Sequence, residues 1–421
     1  MISKKITDLK QFSLILTIGA LINQAGHLLF RTIALIILQN IAYGLFSITI
    51  STFDLFLPFA SFMLHSPLTR DIRKAESKYE LKKVYQNFVV CYCLTSTINF
   101  LLFFIMGIIF LNYFHFFLIL FLSLSLIFQS FAEFFIGLSR GYSIPVRAVI
   151  LSVITGILRG LFAFISLFVL VFQNANFFLF FFSFGYLIQF FLGLIFYRSE
   201  IKKYLFKFDL IEINRIKSSI KNSSFLLSNT FLDRLVKWIL TFIALVNLRS
   251  LSFKVFDLCI LFISFIRILG GNLTIAMNSN RNLKKVHKNF RENQIIKKII
   301  PIILINIFLI FFLFFTNIDY IILKLILGEI PLISLLFVRT ILFVPIPYIF
   351  ASYFYGWAQN FGHYSVCIFA RVVGFLGSII IYIILIIFNS FYLLFIGLII
   401  EKLLFSLVLI NFESKNKSLK S

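Results

Sequence analysis

Thirteen charged side chains sit inside otherwise apolar runs of this sequence. Eight are basic, Arg31, Arg159, Arg234, Lys237, Arg267, Arg339, Arg371 and Lys402, and five are acidic, Asp54, Glu133, Asp233, Asp257 and Glu401. Facing lipid at a helix centre, each would cost roughly 2.5–3.5 kcal/mol. Asp233, Arg234 and Lys237 fall within one run, where together they would cost about 8–10 kcal/mol. Such groups must face a bundle interior or a water-filled cavity. Two chemistries follow. In one, they are interhelical ion pairs and polar glue: Asp233 pairs with Lys237 at i, i+4, and Arg371 and Lys402, toward run ends, snorkel. In the other they line a cavity, and the excess of cations suits an anionic ligand and disfavours lipophilic cations. The set as a whole favours the cavity.

Enzyme chemistry finds no support. The sequence has no H-E-x-x-H, no Walker A loop and no G-x-S-x-G. His27, His65, His115, His287 and His363 lie in separate segments, so no metal set is expected. Cys91, Cys93, Cys259 and Cys367 lie in apolar runs and read as small buried hydrophobes. Without an ATP site, energy for any transport would come from a proton or sodium gradient or from the substrate's own gradient. No cofactor is expected.

The elements that must position these charges are membrane helices. A 61% hydrophobic composition, a mean hydropathy of +1.02 and only 13% charged residues exclude a water-soluble globular protein. Apolar runs fall at 12–38, 41–65, 85–111, 116–138, 148–172, 177–197, 223–247, 253–277, 299–315, 332–355, 366–388 and 391–411. The expected fold is an all-α polytopic membrane protein, with about 12 transmembrane helices at roughly 20 residues per span. The first run is long and lacks a small-residue cleavage site, so it is expected to be retained.

The net charge of +23 sits in short connectors rather than on one basic face, which argues against nucleic acid. With the N-terminus inside, the inner connectors hold 28 Lys and Arg, and the outer ones only Arg249, Lys254 and Lys324. That asymmetry places both termini in the cytoplasm. The outer connectors are short and leave no room for a loop-borne catalytic site. The most basic inner connector, Arg198 to Asn222, divides the chain into an N-terminal six-helix bundle at 1–197 and a C-terminal one at 223–421. Two inner segments carry apolar helical stripes, Leu68, Ile72, Ala75 and Tyr79, and Ile201, Tyr204, Leu205 and Phe208. They could lie among anionic headgroups or be ordinary solvated segments that set topology. Pro58, Pro345 and Pro347 lie within runs, and Pro345-x-Pro347 should break the tenth near its middle.

Six runs per half is an even number, so a duplication would give parallel repeats. Asn23, His27 and Arg31 in run 1 match Asn229, Asp233 and Lys237 in run 7, each set at i, i+4, i+8 on one helical face. Phe53-Asp54-Leu55 in run 2 matches Phe256-Asp257-Leu258 in run 8. After run 4 come Gly137 and Gly141-Tyr142-Ser143; after run 10 come Gly356 and Gly362-His363-Tyr364-Ser365.

This pattern of parallel halves, a basic central connector, tiny outer loops and intramembrane Arg, Lys and Asp resembles the Wzx-type polysaccharide flippases. These belong to the multidrug/oligosaccharidyl-lipid/polysaccharide exporter superfamily. The resemblance implies two bundles around a central cavity in a bacterial inner membrane. It also implies turnover of an undecaprenyl-pyrophosphate-linked oligosaccharide, an O-antigen or capsule repeat unit, to the periplasmic leaflet. The partners implied are the lipid-linked oligosaccharide, membrane lipids, a polysaccharide polymerase and a chain-length regulator, with no nucleic acid. A drug/cation antiporter of the same superfamily is the nearest rival. A polysaccharide-assembly membrane enzyme is a further one, disfavoured because such enzymes resemble one another in a large periplasmic loop. The cavity candidates are Asn23, His27, Arg31, Asp54, Glu133, Arg159, Asn229, Asp233, Arg234, Lys237, Asp257, Arg267 and Arg339.

Overall fold

The computed structural model describes residues 9–110, 115–169, 173–205, 210–261, 263, 320–321, 324, 332–341, 343–360 and 363–418. Arg267, the run at 299–315 and the later part of the run at 253–277 lie outside them. The described residues form helices and no strands. In order these are α1 (Leu9–Ile37), α2 (Asn40–Ser61), α3 (His65–Lys74), α4 (Lys78–Phe110), α5 (Phe116–Gly141), α6 (Pro145–Ser166), α7 (Ala175–Phe196), α8 (Arg198–Leu205) and α9 (Ile213–Asn247). Then come α10 (250–261), α11 (Leu332–Ile341), α12 (Pro345–Asn360), α13 (Tyr364–Ile387) and α14 (Leu394–Ser418). Among the described residues nine helical stretches are long and apolar enough to cross a membrane. They coincide with runs 1–6 and 10–12 of the sequence. The protein is all-α and polytopic.

The chain divides into two compact units, Met1–Phe231 and Leu232–Ser421, the division falling inside α9. In the first unit α1 packs along α6 because two glycines bring the backbones together. A Cβ on Gly26 would lie 2.0 Å from Gly156 O, and one on Gly156 would lie 2.5 Å from Asn23 O. Membrane helices lack a hydrophobic drive to associate, so such close approach carries much of the packing energy. Thr155 Oγ1 donates to Asn23 Oδ1 at 2.9 Å across the same crossing. Phenylalanine-rich composition turns into an aromatic core: Phe30 lies 5.3 Å from Phe178, and Phe53 lies 5.4 Å from Phe182 and 5.7 Å from Tyr186. These are favourable offset and edge-on separations.

The basic connector is gripped by two adjacent, fully buried amides of α4. Gln86 donates to Tyr204 O at 3.1 Å and accepts from Leu210 N at 2.9 Å. Asn87 donates to Leu210 O at 3.1 Å and accepts from Glu212 N at 2.7 Å. Glu212 also pairs with Lys83, and Arg215 lies 3.6 Å from Asp71. Connector backbone that would otherwise be unsatisfied thus bonds to side chains.

The stripe on α3 faces protein. Leu68 and Ile72 are buried against Gly137 and Gly141 of α5, whereas Tyr79 is exposed. In the second unit, Phe256 of α10 stacks on Phe395 of α14 at 5.1 Å and meets Phe337 of α11 edge-on at 5.6 Å. The tenth run breaks as its prolines require: α11 ends at Ile341 and α12 begins at Pro345, the first-turn position where a missing N–H costs nothing.

Candidate charged sites within the two helical units

Four ionised side chains meet in the interior of the second unit. Arg371 comes from the first half of α13, Glu401 and Lys402 from α14, and Asp233 from α9. Arg371 Nη1 donates to Glu401 Oε1 at 2.7 Å and to Asp233 Oδ1 at 3.4 Å. Lys402 Nζ donates to Glu401 Oε1 at 2.7 Å and pairs closely with Asp233 Oδ1. All four are at most 6% exposed. Gly374, one turn beyond Arg371, makes the meeting possible: a Cβ there would sit 2.6 Å from Glu401 O. Aromatic faces cover the cations, with Arg371 4.2 Å over Phe405 and Lys402 4.5 Å over Tyr348. Tyr348 also lies 5.9 Å from Lys237 Nζ. The break before Pro345 sets the start of the helix that carries this tyrosine.

Two carboxylates and two cations leave this group neutral. Paired, hydrogen-bonded charge is the form in which ions are tolerated at low dielectric. Snorkelling fails for Arg371 and Lys402, because carboxylates in the same interior offer closer compensation than the interface does.

The first unit holds cations differently. Arg159, 5% exposed on α6, donates through Nε and Nη2 to Phe182 O at 3.3 and 3.0 Å. Its guanidinium lies 4.0 Å over the Phe182 ring and 4.7 Å over Tyr186. Among the described residues it meets no carboxylate. Dipole and π-faces stabilise its charge without neutralising it. Arg31 on α1, 3% exposed, donates to Ser47 Oγ at 2.8 Å and lies 5.8 Å over Phe46. His27, one turn before it, is within electrostatic reach of both guanidiniums, and its Nδ1 is buried without a hydrogen-bond partner.

The remaining sequence-derived candidates disperse. Asn23 serves the α1–α6 crossing. Asp54 on α2, Arg234 on α9 and Arg339 on α11 are half-buried, while Asn229 and Asp257 are buried on α9 and α10. Glu133 on α5 lies 3.5 Å from His65 at the start of α3. Arg371, Glu401 and Lys402 were absent from the candidate set, although adjacent opposite charges at 401–402 inside an apolar run were a legible signal. Tyr348 carried none.

No family model matches the chain, and no curated protein does. Solved structures match over nearly its whole length. An outward-facing multidrug resistance MATE family transporter of the MOP superfamily aligns at TM-score 0.69 and 14% identity, covering 98% of this chain and 96% of that one. The fold is that of the MATE transporters. A MATE protein in complex with MaL6 aligns at TM-score 0.66, 14% identity and coverage of 98% and 97%. A MOP superfamily transporter from Pyrococcus furiosus, described as having a binding pocket of reverse polarity that suggests a different function, aligns at 0.62, again at 14% identity and with coverage of 98% and 97%. At this identity the MATE likeness concerns architecture.

Proposed function

We propose that this chain is a transporter that moves an amphiphilic anion between leaflets by alternating access. The substrate best suited is an undecaprenyl-pyrophosphate-linked oligosaccharide, carried from the cytoplasmic to the outer leaflet of a bacterial inner membrane. The observation that carries this reading is Arg159: a buried guanidinium whose partners are a carbonyl and two aromatic faces, leaving its charge uncancelled. With Arg31 nearby, it would supply positive potential for a phosphate group. Both termini are cytoplasmic in this reading, and the driving force is an ion or substrate gradient. A polymerase and a chain-length regulator would act on the delivered unit.

A second reading, a multidrug/cation antiporter, is favoured by the likeness to a transporter described by that activity. Against it, a buried uncompensated cation repels a cationic drug. That a protein of this fold is described as having reversed pocket polarity supports the idea that the scaffold serves more than one substrate class.

The deciding experiment uses proteoliposomes holding a fluorescent polyprenyl-pyrophosphate disaccharide, with leaflet transfer read by a membrane-impermeant quencher. Protein-dependent transfer that Arg159→Gln abolishes at normal abundance supports the proposal. Accumulation of tetraphenylphosphonium with no lipid transfer establishes the antiporter instead.

A further inference from the structure

Buried polar atoms without partners gather at a second place in the first unit, on α3, α4 and α5 rather than on α1 and α6, which carry Arg31 and Arg159. His65 opens α3, and its Nδ1 stands 3.5 Å from Glu133 Oε2 with no hydrogen bond formed. Gln129, one turn before Glu133, donates its Nε2 to Glu133 Oε1 at 3.2 Å, and its own Oε1 is buried without a donor. Tyr92 of α4 has a buried hydroxyl with no partner, and Arg140 Nε is likewise buried and unbonded. Glu133 and Arg140 both act electrostatically on Tyr92, and both act on His65. Four buried polar atoms without partners gather around one carboxylate, where packing alone leaves few such groups.

Helix register explains why they meet. On α5, Glu133, Gly137 and Gly141 recur every four residues and present one face. On α3, His65, Leu68 and Ile72 face them in the same order: Leu68 Cδ2 would lie 2.9 Å from a Cβ on Gly137, and Ile72 Cβ 2.9 Å from one on Gly141. Thr69 Oγ1 donates to Gly137 O at 3.1 Å between them. The glycines hold α3 close enough to put the imidazole on the carboxylate. Just before His65, Phe62 and Met63 both adopt left-handed backbone, φ 47° and 54°, which bulky residues disfavour. The turn bought by that strain is what aims His65 at α5. The break also frees Ala60 O, which accepts from Ser130 Oγ at 2.7 Å and Thr95 Oγ1 at 3.2 Å.

We propose that His65 and Glu133 form a proton-binding site. An imidazole nitrogen lone pair and a carboxylate oxygen are both acceptors, and facing each other in a buried setting they repel unless a proton lies between them. A proton taken from water onto Nδ1 converts the contact into a charge-assisted hydrogen bond from imidazolium to Glu133 Oε2. On release, the proton returns to water and the carboxylate keeps Gln129 as donor and Arg140 as counter-charge. His65 Nδ1 itself is buried, while the two side chains as a whole are 16% and 27% exposed. Arg140 on α5 also acts on His65, and Tyr92 on α4 faces the same Glu133 and Arg140; Arg70, Asp71, Arg73 and Lys74 follow His65 along α3. Buried ionisable pairs of this kind are the usual elements of membrane proton relays. The site does not depend on the substrate proposed above.

The test is an NMR pH titration of the full chain in nanodiscs, with histidine ring carbons labelled. One of the five histidine resonances, the one missing in His65→Gln, is expected to shift with pH. In Glu133→Gln its proton affinity is expected to fall tenfold or more, because the compensating charge is gone. If His65→Gln does not fold, a chain retaining only His65 among its histidines assigns the same resonance. A His65 signal that stays constant across the titration, or titrates identically in Glu133→Gln, overturns the site. Neither result bears on whether lipid-linked sugar is transported.

Discussion

Arg371 donates to Glu401 at 2.7 Å, joining α13 to α14 inside the second unit across thirty residues of sequence. Glu401 Oε1 also receives Lys402, so one oxygen anchors two cations. Removing it leaves two cations beside the Asp233 carboxylate. Glu401→Gln is expected to cost about 3–5 kcal/mol, the usual penalty for stranding a buried charge. Thermal unfolding in detergent should show a marked drop in Tm. The double variant Glu401→Gln/Lys402→Gln should be more stable than Glu401→Gln alone, because it restores neutrality; additive losses would mean that the residues act independently.

The α1–α6 crossing is governed by backbone distance. Gly156→Val places a Cβ 2.5 Å from Asn23 O, where the helix rather than a flexible side chain must yield. A loss of about 1–3 kcal/mol or more is expected. Membrane abundance and monodispersity on size-exclusion chromatography should fall accordingly. Gly160→Ala, where the nearest neighbour is 3.6 Å away, should be tolerated.

Asn87 closes two hydrogen bonds to the connector, and Asn87→Leu removes both while keeping bulk. The stranded carbonyl and amide are expected to cost about 2–4 kcal/mol together. Limited trypsin digestion should cut the 198–222 connector several-fold faster than in the unaltered chain, with the helical units intact.

For transport, Arg31→Gln and Arg159→Gln are expected to abolish lipid transfer while membrane insertion persists, since less buried charge eases insertion. Arg159→Lys should retain partial activity: it keeps the charge but loses the two-pronged grip on Phe182 O. Full transfer by the double Gln variant would place the substrate path elsewhere.

Reporter fusions check the topology. Insertions after Leu111, Asn176 and Asn389 should report the periplasm, and fusions at both termini the cytoplasm, as the charge asymmetry requires.

The sequence by itself determined the class of the molecule. Uninterrupted apolar runs can satisfy their backbone in lipid only as helices, so the all-α polytopic fold and the break before Pro345 were legible from local composition. It also identified which charges must be hidden, because their cost in lipid is independent of neighbours. What each charge meets was decided by tertiary structure. Asp233 has Lys237 one turn away in sequence, yet it bonds to Arg371 and Lys402, which lie 138 and 169 residues on. Arg159 ends on a carbonyl and two rings that no spacing rule foretells. His65 reads as one of five scattered histidines until α3 turns back onto the glycine face of α5 and sets it beside Glu133. Helix formation depends on residues a few positions apart, whereas the pairing of buried charge depends on which helix faces register, and that is set by close approach at glycines far apart in the chain.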